Sequence, residues 1–189
     1  MSKVAITGMG IISAIGASVE ENFNALLSGK TGISVIENIE TIHKDSIKVG
    51  EIKKTNEELL QQLQISGAND FSRTAMLGTI AAKQAVENAG IKNINDYKTG
   101  LISATSVGGM DMTERFFYDY LENEENRRYI HANDGGNSSH NIADYLGLQG
   151  TVTTISTACS SAANAIMLGA RLIKSRELDR VIDGGTDAL

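Results

Sequence analysis

The stretch Thr151–Ile173, TVTTISTACSSAANAIMLGARLI, decides the fold of this chain. Its start, Thr151–Ile155, is a β-branched run, which suits a pleated, packed surface and reads as a strand. Its second half sets Ile166, Met167, Leu168, Leu172 and Ile173 among small residues, the pattern of a buried helix. Between the two lie Ala158 and Cys159, the latter the only cysteine of the chain. A thiol at such a joint sits at a helix N-terminus, where unpaired N–H groups and the macrodipole favour a thiolate. Ala158, Ser160, Ser161, Ala162 and Ala163 are all small, leaving room for a substrate carbonyl and for backbone N–H groups acting as an oxyanion hole. That arrangement suits acyl transfer through a thioester. A buried, inert cysteine fits the position equally well, because free cysteine is among the most buried residue types.

Working outward, strands and helices alternate. KVAIT, residues 3–7, reads as a short buried strand, and Gly8, Gly10 and Gly16 as tight turns after it. Ser18 with Glu21 is a capping box for a helix that ends at Gly29. A strand is expected near IKVGEI, and Thr55 with Glu58 caps the helix ELLQQLQ. Ser72 opens a long helix closed by Gly90, and TGLISAT is a buried strand leading into the glycine-rich SVGGM. MTERFFYDYLEN and NIADYLG read as helices, and RVIDGG as the last strand. Strands separated by helices of this length imply a layered α/β sheet. The chain stops straight after a strand, where a doubly covered sheet would continue into another helix, so residues 1–189 are expected to form part of a larger fold.

Composition excludes several classes. At 189 residues, 41% hydrophobic and 21% charged, the chain is globular rather than disordered. A net charge of -6 argues against nucleic-acid partners and anionic membranes, and no segment is apolar enough to span a bilayer. One cysteine allows no internal disulfide, which points to a cytoplasmic setting. TGMGIISAIG supplies Gly8 and Gly10 of a dinucleotide-binding fingerprint, but Ser13 stands at the third glycine and no acidic residue ends a clear second strand about 20 residues later. No cofactor and no metal is called for.

TACSSA, between its strand and its helix, resembles the active-site segment of the β-ketoacyl-[acyl-carrier-protein] synthases. VAITGMGIISAIG, LLSGKTGIS, AAKQAVENAG and DGGTDAL resemble further segments of that family in the same order along the chain. The resemblance implies a thiolase-like fold, with residues 1–189 the layered αβα N-terminal half of a five-layer αβαβα protein and the C-terminal half absent. It implies that Cys159 is the nucleophile of a decarboxylative Claisen condensation, loaded from an acyl carrier protein and then attacked by a malonyl-derived carbanion. The family's two catalytic histidines belong to its second half, and His43, His131 and His140 match neither motif. By the same resemblance Val107, in ATSVGGM, lines the acyl pocket, with plain core packing the alternative. The basic docking patch of many relatives is thin here. Around Asp70 only Arg73 is basic, which leaves Arg127 and Arg128 as substitutes for binding the acidic carrier, with a solvated charged face beside the glutamates the commoner alternative. The strand at 151–156 is expected to pair across a two-fold axis in a homodimer or heterodimer, since it carries no charge or proline to protect an edge. A non-catalytic scaffold of the same fold is the rival reading, against which Cys159 counts; a cysteine hydrolase lacks a convincing histidine base.

Overall fold

The strand Thr99–Ala104 is buried along its whole length, and its successive residues enter different cores. Leu101 packs with Ile142, Ala143 and Ile182, whereas Ile102 packs with Ala165, Leu168 and Leu172. That is the period-two alternation of a strand covered on both faces. In the computed structural model, which describes residues 3–188 without the side chain of Arg128, this strand is the centre of the molecule.

The elements in chain order are α1 (Val19–Leu27), the short antiparallel pair β1 (Ser34–Val35) and β2 (Lys48–Val49), α2 (Asn56–Leu63), α3 (Arg73–Asn88), β3 (Thr99–Ala104), α4 (Met110–Phe116), α5 (Arg127–Ile130), α6 (Gly135–Leu146), β4 (Thr151–Ile155), α7 (Ser161–Lys174) and β5 (Arg180–Gly185). β3 lies between β4 and β5 and runs parallel to both, with Ile102 opposite Thr153 on one side and Asp183 on the other. Helices α3 and α6 cover one face and α7 the other, so the layers are α, β, α. No helix among the described residues is long and apolar enough to cross a membrane.

The helix ends follow their local chemistry. Thr55 and Glu58 make a full capping box at α2, and Ser72 accepts a hydrogen bond from the Ala75 N–H at α3. At α1 the Ser18 side chain caps the Glu21 N–H, but the Glu21 carboxylate reaches one residue further back, to the Ala17 N–H at 2.7 Å. Gly29 and Gly90 close α1 and α3 in the left-handed region, where glycine has no Cβ to clash.

Three expectations need correction. KVAIT is not a buried strand: residues 3–7 have no ladder partner among the described residues, and Ile6 is 79% exposed. A strand requires a neighbouring backbone, and here a groove separates this strip from the edge of β5. Gly8 and Gly10 are not turns, since the chain from 3 to 12 makes neither turn nor bend. They run against α3, where an added Cβ would strike the Ala85 and Ala81 carbonyl oxygens. The Met9 and Ile11 N–H groups are held by Asn88 (3.0 Å) and Gln84 (3.1 Å) of that helix, which leaves no free cradle for a pyrophosphate. Finally, α4 stops at Phe116, because Phe117, Tyr118 and Leu121 beyond it are exposed and bury nothing that would hold the helix together.

The excursion from β1 to β2 is pinned by one buried carboxylate. Glu51 accepts hydrogen bonds from the Glu37, Asn38 and Ile39 N–H groups and from Lys53 Nζ at 2.8 Å. Burial alone would raise its pKa, but the Lys53 and backbone donors outweigh that and hold it at about 2. A depressed carboxylate stabilises the fold above its unfolded pKa and loses that contribution as pH falls through the folded value. Thermal melts of wild type should therefore lose stability between about pH 5 and pH 2, by roughly 3 kcal/mol from this group. Glu51→Gln should lower stability at pH 7 and flatten that acid limb; an unchanged limb would show that Glu51 is not the group responsible.

Candidate active site

Parallel strands release their C-terminal loops on one edge of the sheet, where ligands of open α/β folds bind. Here that edge gathers Thr105–Gly109 after β3, Ser156–Ser160 after β4 and Thr186–Ala188 after β5. The Thr105 N–H donates to Ile155 O at 3.2 Å and the Thr186 N–H to Ala104 O at 2.9 Å, so the three loops leave from one hydrogen-bonded rim.

Cys159 stands on this edge and is exposed in the 189-residue chain. It precedes the first residue of α7 by two positions, with Ser160 as the cap residue, and so stands in the approach to the helix rather than in its first turn. Ala158 immediately before it adopts φ +53, a left-handed conformation that is uncommon for a residue with a Cβ. The turn is held by its own side chains. Ser161 Oγ accepts from the Thr157 N–H at 2.8 Å and donates to Ala158 O at 2.7 Å. Ser160 Oγ donates to Thr157 O at 2.9 Å, and Asn164 Nδ2 donates to Thr157 Oγ1 at 2.8 Å. The two serines are therefore more than small residues that make room. They are the staples of the strained turn, a role that the Ser-Ser pair before a helix signals in retrospect. Ser160 makes no side-chain cap, and the N–H of Ser161, the first residue of α7, donates to Ala158 O at 3.0 Å.

A second group was not foreseen. One oxygen of Asp187, Oδ1, accepts from Thr105 Oγ1 (2.6 Å), from the Ser106 N–H (2.8 Å) and from the Val107 N–H (3.2 Å). The Gly108 N–H closes the loop onto Thr105 Oγ1 at 2.9 Å. Asp187 thus ties the loop that carries Val107 to the end of β5, while Thr186 Oγ1 donates to Thr74 O at 2.8 Å at the start of α3. Val107 itself is half-buried on the same edge as Cys159. An acidic residue two positions beyond the Gly184–Gly185 pair was the available signal.

The other candidates make no hydrogen bond to Cys159 among the described residues, although Ala132, next to His131, packs its carbonyl against Gly109 of the rim. His131 and His140 are exposed and line a surface hollow of α5 and α6 with Asp134 and Asn137, and His43 is exposed in the turn before β2. No histidine approaches the thiol through any hydrogen bond among the described residues. Arg73 is not a free docking cation. Its guanidinium is spent on Asn56 Oδ1 (2.8 Å) and Ile52 O (2.9 Å), and burial lowers its pKa from the usual value. Asp70 accepts from Asn137 Nδ2 at 3.0 Å. Arg127 pairs with Glu124 at 3.2 Å and donates to Tyr120 O, a local surface contact, and the side chain of Arg128 lies outside the described residues.

The geometry is thus a parallel sheet between helical layers, with an exposed thiol on a strained strand-to-helix turn at its carboxyl edge. Residues 1–189 match the family described as "Beta-ketoacyl synthase, N-terminal domain", and the chain belongs to that family. Among curated relatives it is similar to 3-oxoacyl-[acyl-carrier-protein] synthase 2 of Vibrio cholerae, 27% identical over 98% of this chain and 45% of the relative. It is also similar to the chloroplastic 3-oxoacyl-[acyl-carrier-protein] synthase I of Arabidopsis thaliana, 30% identical over 98% of this chain and 41% of the relative. Among solved structures, the ishigamide ketosynthase/chain length factor superposes with a TM-score of 0.85 at 25% identity, covering 97% of this chain and 47% of that one. The chain therefore spans less than half the length of these relatives.

Proposed function

We propose that this chain is the nucleophile-bearing half of a β-ketoacyl-[acyl-carrier-protein] synthase. The observation that carries the reading is Cys159, exposed on a strained turn ahead of a helix start without a side-chain cap, at the carboxyl edge of the sheet. The thiolate attacks the carbonyl carbon of a carrier-bound acyl thioester, the backbone donors take up the oxyanion, and the C–S bond to the carrier breaks to release its thiolate, which takes a proton from water. Val107 lines the space for the acyl chain. In the complete enzyme a malonyl thioester loses CO₂, and its carbanion attacks the enzyme thioester, releasing the β-ketoacyl product and the free thiol. The histidines for that second step belong to the other half of the fold. The donor is an acyl carrier protein, the setting is the cytoplasm, and β4 pairs with a second synthase-type chain at 151–156.

Intact-mass measurement after incubation with an acyl-carrier thioester tests the loading step. One acyl adduct is expected on the wild-type chain, mapped to Cys159, and Cys159→Ala should reduce it at least a hundredfold. No adduct on a folded wild-type chain would overturn the nucleophile and favour a non-catalytic scaffold of the same fold.

A further inference from the structure

The loop between β3 and α4, residues 105–109, has no regular structure of its own and is held from two sides. On one side it is pressed against the approach to α6. An added Cβ at Gly109 would strike the Ala132 carbonyl, and one at Gly108 would meet Asn133 O at 3.1 Å. On the other side a single atom holds it. Asp187 Oδ1 accepts from Thr105 Oγ1, the Ser106 N–H and the Val107 N–H, so three consecutive residues hang on one carboxylate oxygen. Thr105 Oγ1 in turn accepts from the Gly108 N–H, which closes the loop on itself.

The carboxylate stands on a clamped segment. Thr186 Oγ1 donates to Thr74 O at 2.8 Å, and the Ala188 N–H donates to Thr74 Oγ1 at 3.2 Å. Thr74 is fully buried in the first turn of α3, so both neighbours of Asp187 are tied to the core. The loop it grips has little packing of its own: Ser106 is exposed and Val107 only half-buried. Hydrogen bonds to an ionised acceptor are roughly twice as strong as neutral ones, so here they, and not burial, decide the conformation. What they fix is the place of one aliphatic side chain on the edge that bears the thiol. The root of the loop is bonded to the strand leading to Cys159, through the Thr105 N–H and Ile155 O at 3.2 Å.

We propose that Asp187 is a positioning residue for acyl selection. By holding the Ser106 and Val107 N–H groups it sets the depth of the space beside Cys159 that Val107 closes, and hence the chain length that the thiol accepts. This role rests on the reading of Cys159 as the acyl-accepting thiol and of Val107 as a lining residue. With the grip removed, Val107 gives way to longer chains, because overfilling a space costs less when its wall can move. The carboxylate serves the loop and not the substrate. An asparagine, whose Oδ1 can accept the same three bonds, should therefore keep most of the effect.

N-Alkyl iodoacetamides with ethyl, hexyl and decyl chains are the probes. The readout is their rate of alkylation of Cys159 in the 189-residue chain by intact mass, each divided by the rate with glutathione. Wild type should discriminate among the three reagents about tenfold or more. Asp187→Ala should bring the three rates within about twofold of one another, and Asp187→Asn should restore the discrimination. In a Val107→Ala background Asp187→Ala should change nothing further, since a residue that acts through another has no effect once that other is removed. Thr105→Val, which removes the Oγ1 bonds and keeps the carboxylate, should weaken the discrimination in part, and it supplies the reading if Asp187→Ala does not fold. No discrimination by wild type, an equal change of all three rates in Asp187→Ala, or independent effects of the Asp187 and Val107 variants would each overturn the proposal. Alkylation needs only the thiol and the space beside it, so its outcome and the failure of acyl loading from a carrier thioester are separate results.

Discussion

Given acyl- and malonyl-carrier substrates together, the polypeptide of residues 1–189 is expected to load an acyl group and to yield no β-ketoacyl product. The physical reason lies in the second step. Decarboxylation generates an enolate whose charge must be met by positioned donors, and positioned acid–base groups contribute ~10² to 10⁴-fold, with ~10² to 10³-fold for each oxyanion donor. The three histidines of this chain are exposed, none matches the family's histidine motifs, and His131 and His140 line a hollow formed with Asp134 and Asn137. With those groups missing, turnover should fall by at least ~10⁴, below detection by mass spectrometry of the carrier-bound product. Product at the rate of a complete synthase would mean that the donors come from this half, and the division of labour proposed above would be wrong.

The second large effect concerns the other edge of the sheet. β4 is bonded to β3 alone, so its outer edge is open among the described residues, and its sequence has no charge or proline to discourage pairing. An isologous contact repeats every pair, residue i meeting j and j meeting i, and brings a residue at the two-fold axis, as the middle of a paired strand, near its own copy. Thr153→Lys would then place two like charges close together, costing about 1 kcal/mol in water at 4 Å and more where water is excluded. Sedimentation should show association weakened about tenfold or more, since 1.4 kcal/mol is a factor of ten. Thr153 is half-buried, so circular dichroism should accompany the measurement, and Thr151→Lys, at an exposed position of the same strand, gives a second reading without a folding penalty. A wild-type chain that stays monomeric at high concentration would remove β4 as the pairing surface.

Much of the fold was legible because its signals are local. The Thr55–Glu58 capping box, the Ser72 cap and the closing glycines at Gly29 and Gly90 are satisfied by atoms a few residues away, so spacing alone reveals them. The all-buried β3 and the β-branched β4 were equally plain, since their composition already suits a covered strand or a pleated edge. KVAIT was misread for the same reason in reverse. Its composition suits a strand, but a strand exists only with a neighbouring backbone, and that neighbour is not determined by residues 3–7.

Cys159 could be singled out from its place between two opposed patterns, and the sequence by itself determined the layered α/β class and the strand-to-helix joint that bears the thiol. What only the tertiary structure decided are the contacts between residues far apart in the chain. Asp187 gathers Thr105, Ser106 and Val107 from about 80 positions away, and Arg73 is taken out of service by Asn56 and Ile52. Gly8 and Gly10, which look like turns, are set by the close passage of α3. Periodicity and capping act over one or two turns of chain, whereas hydrogen bonds across the rim of a sheet depend on which strands become neighbours. That order, β4-β3-β5, is fixed by burying both faces of β3 and is written in no single stretch.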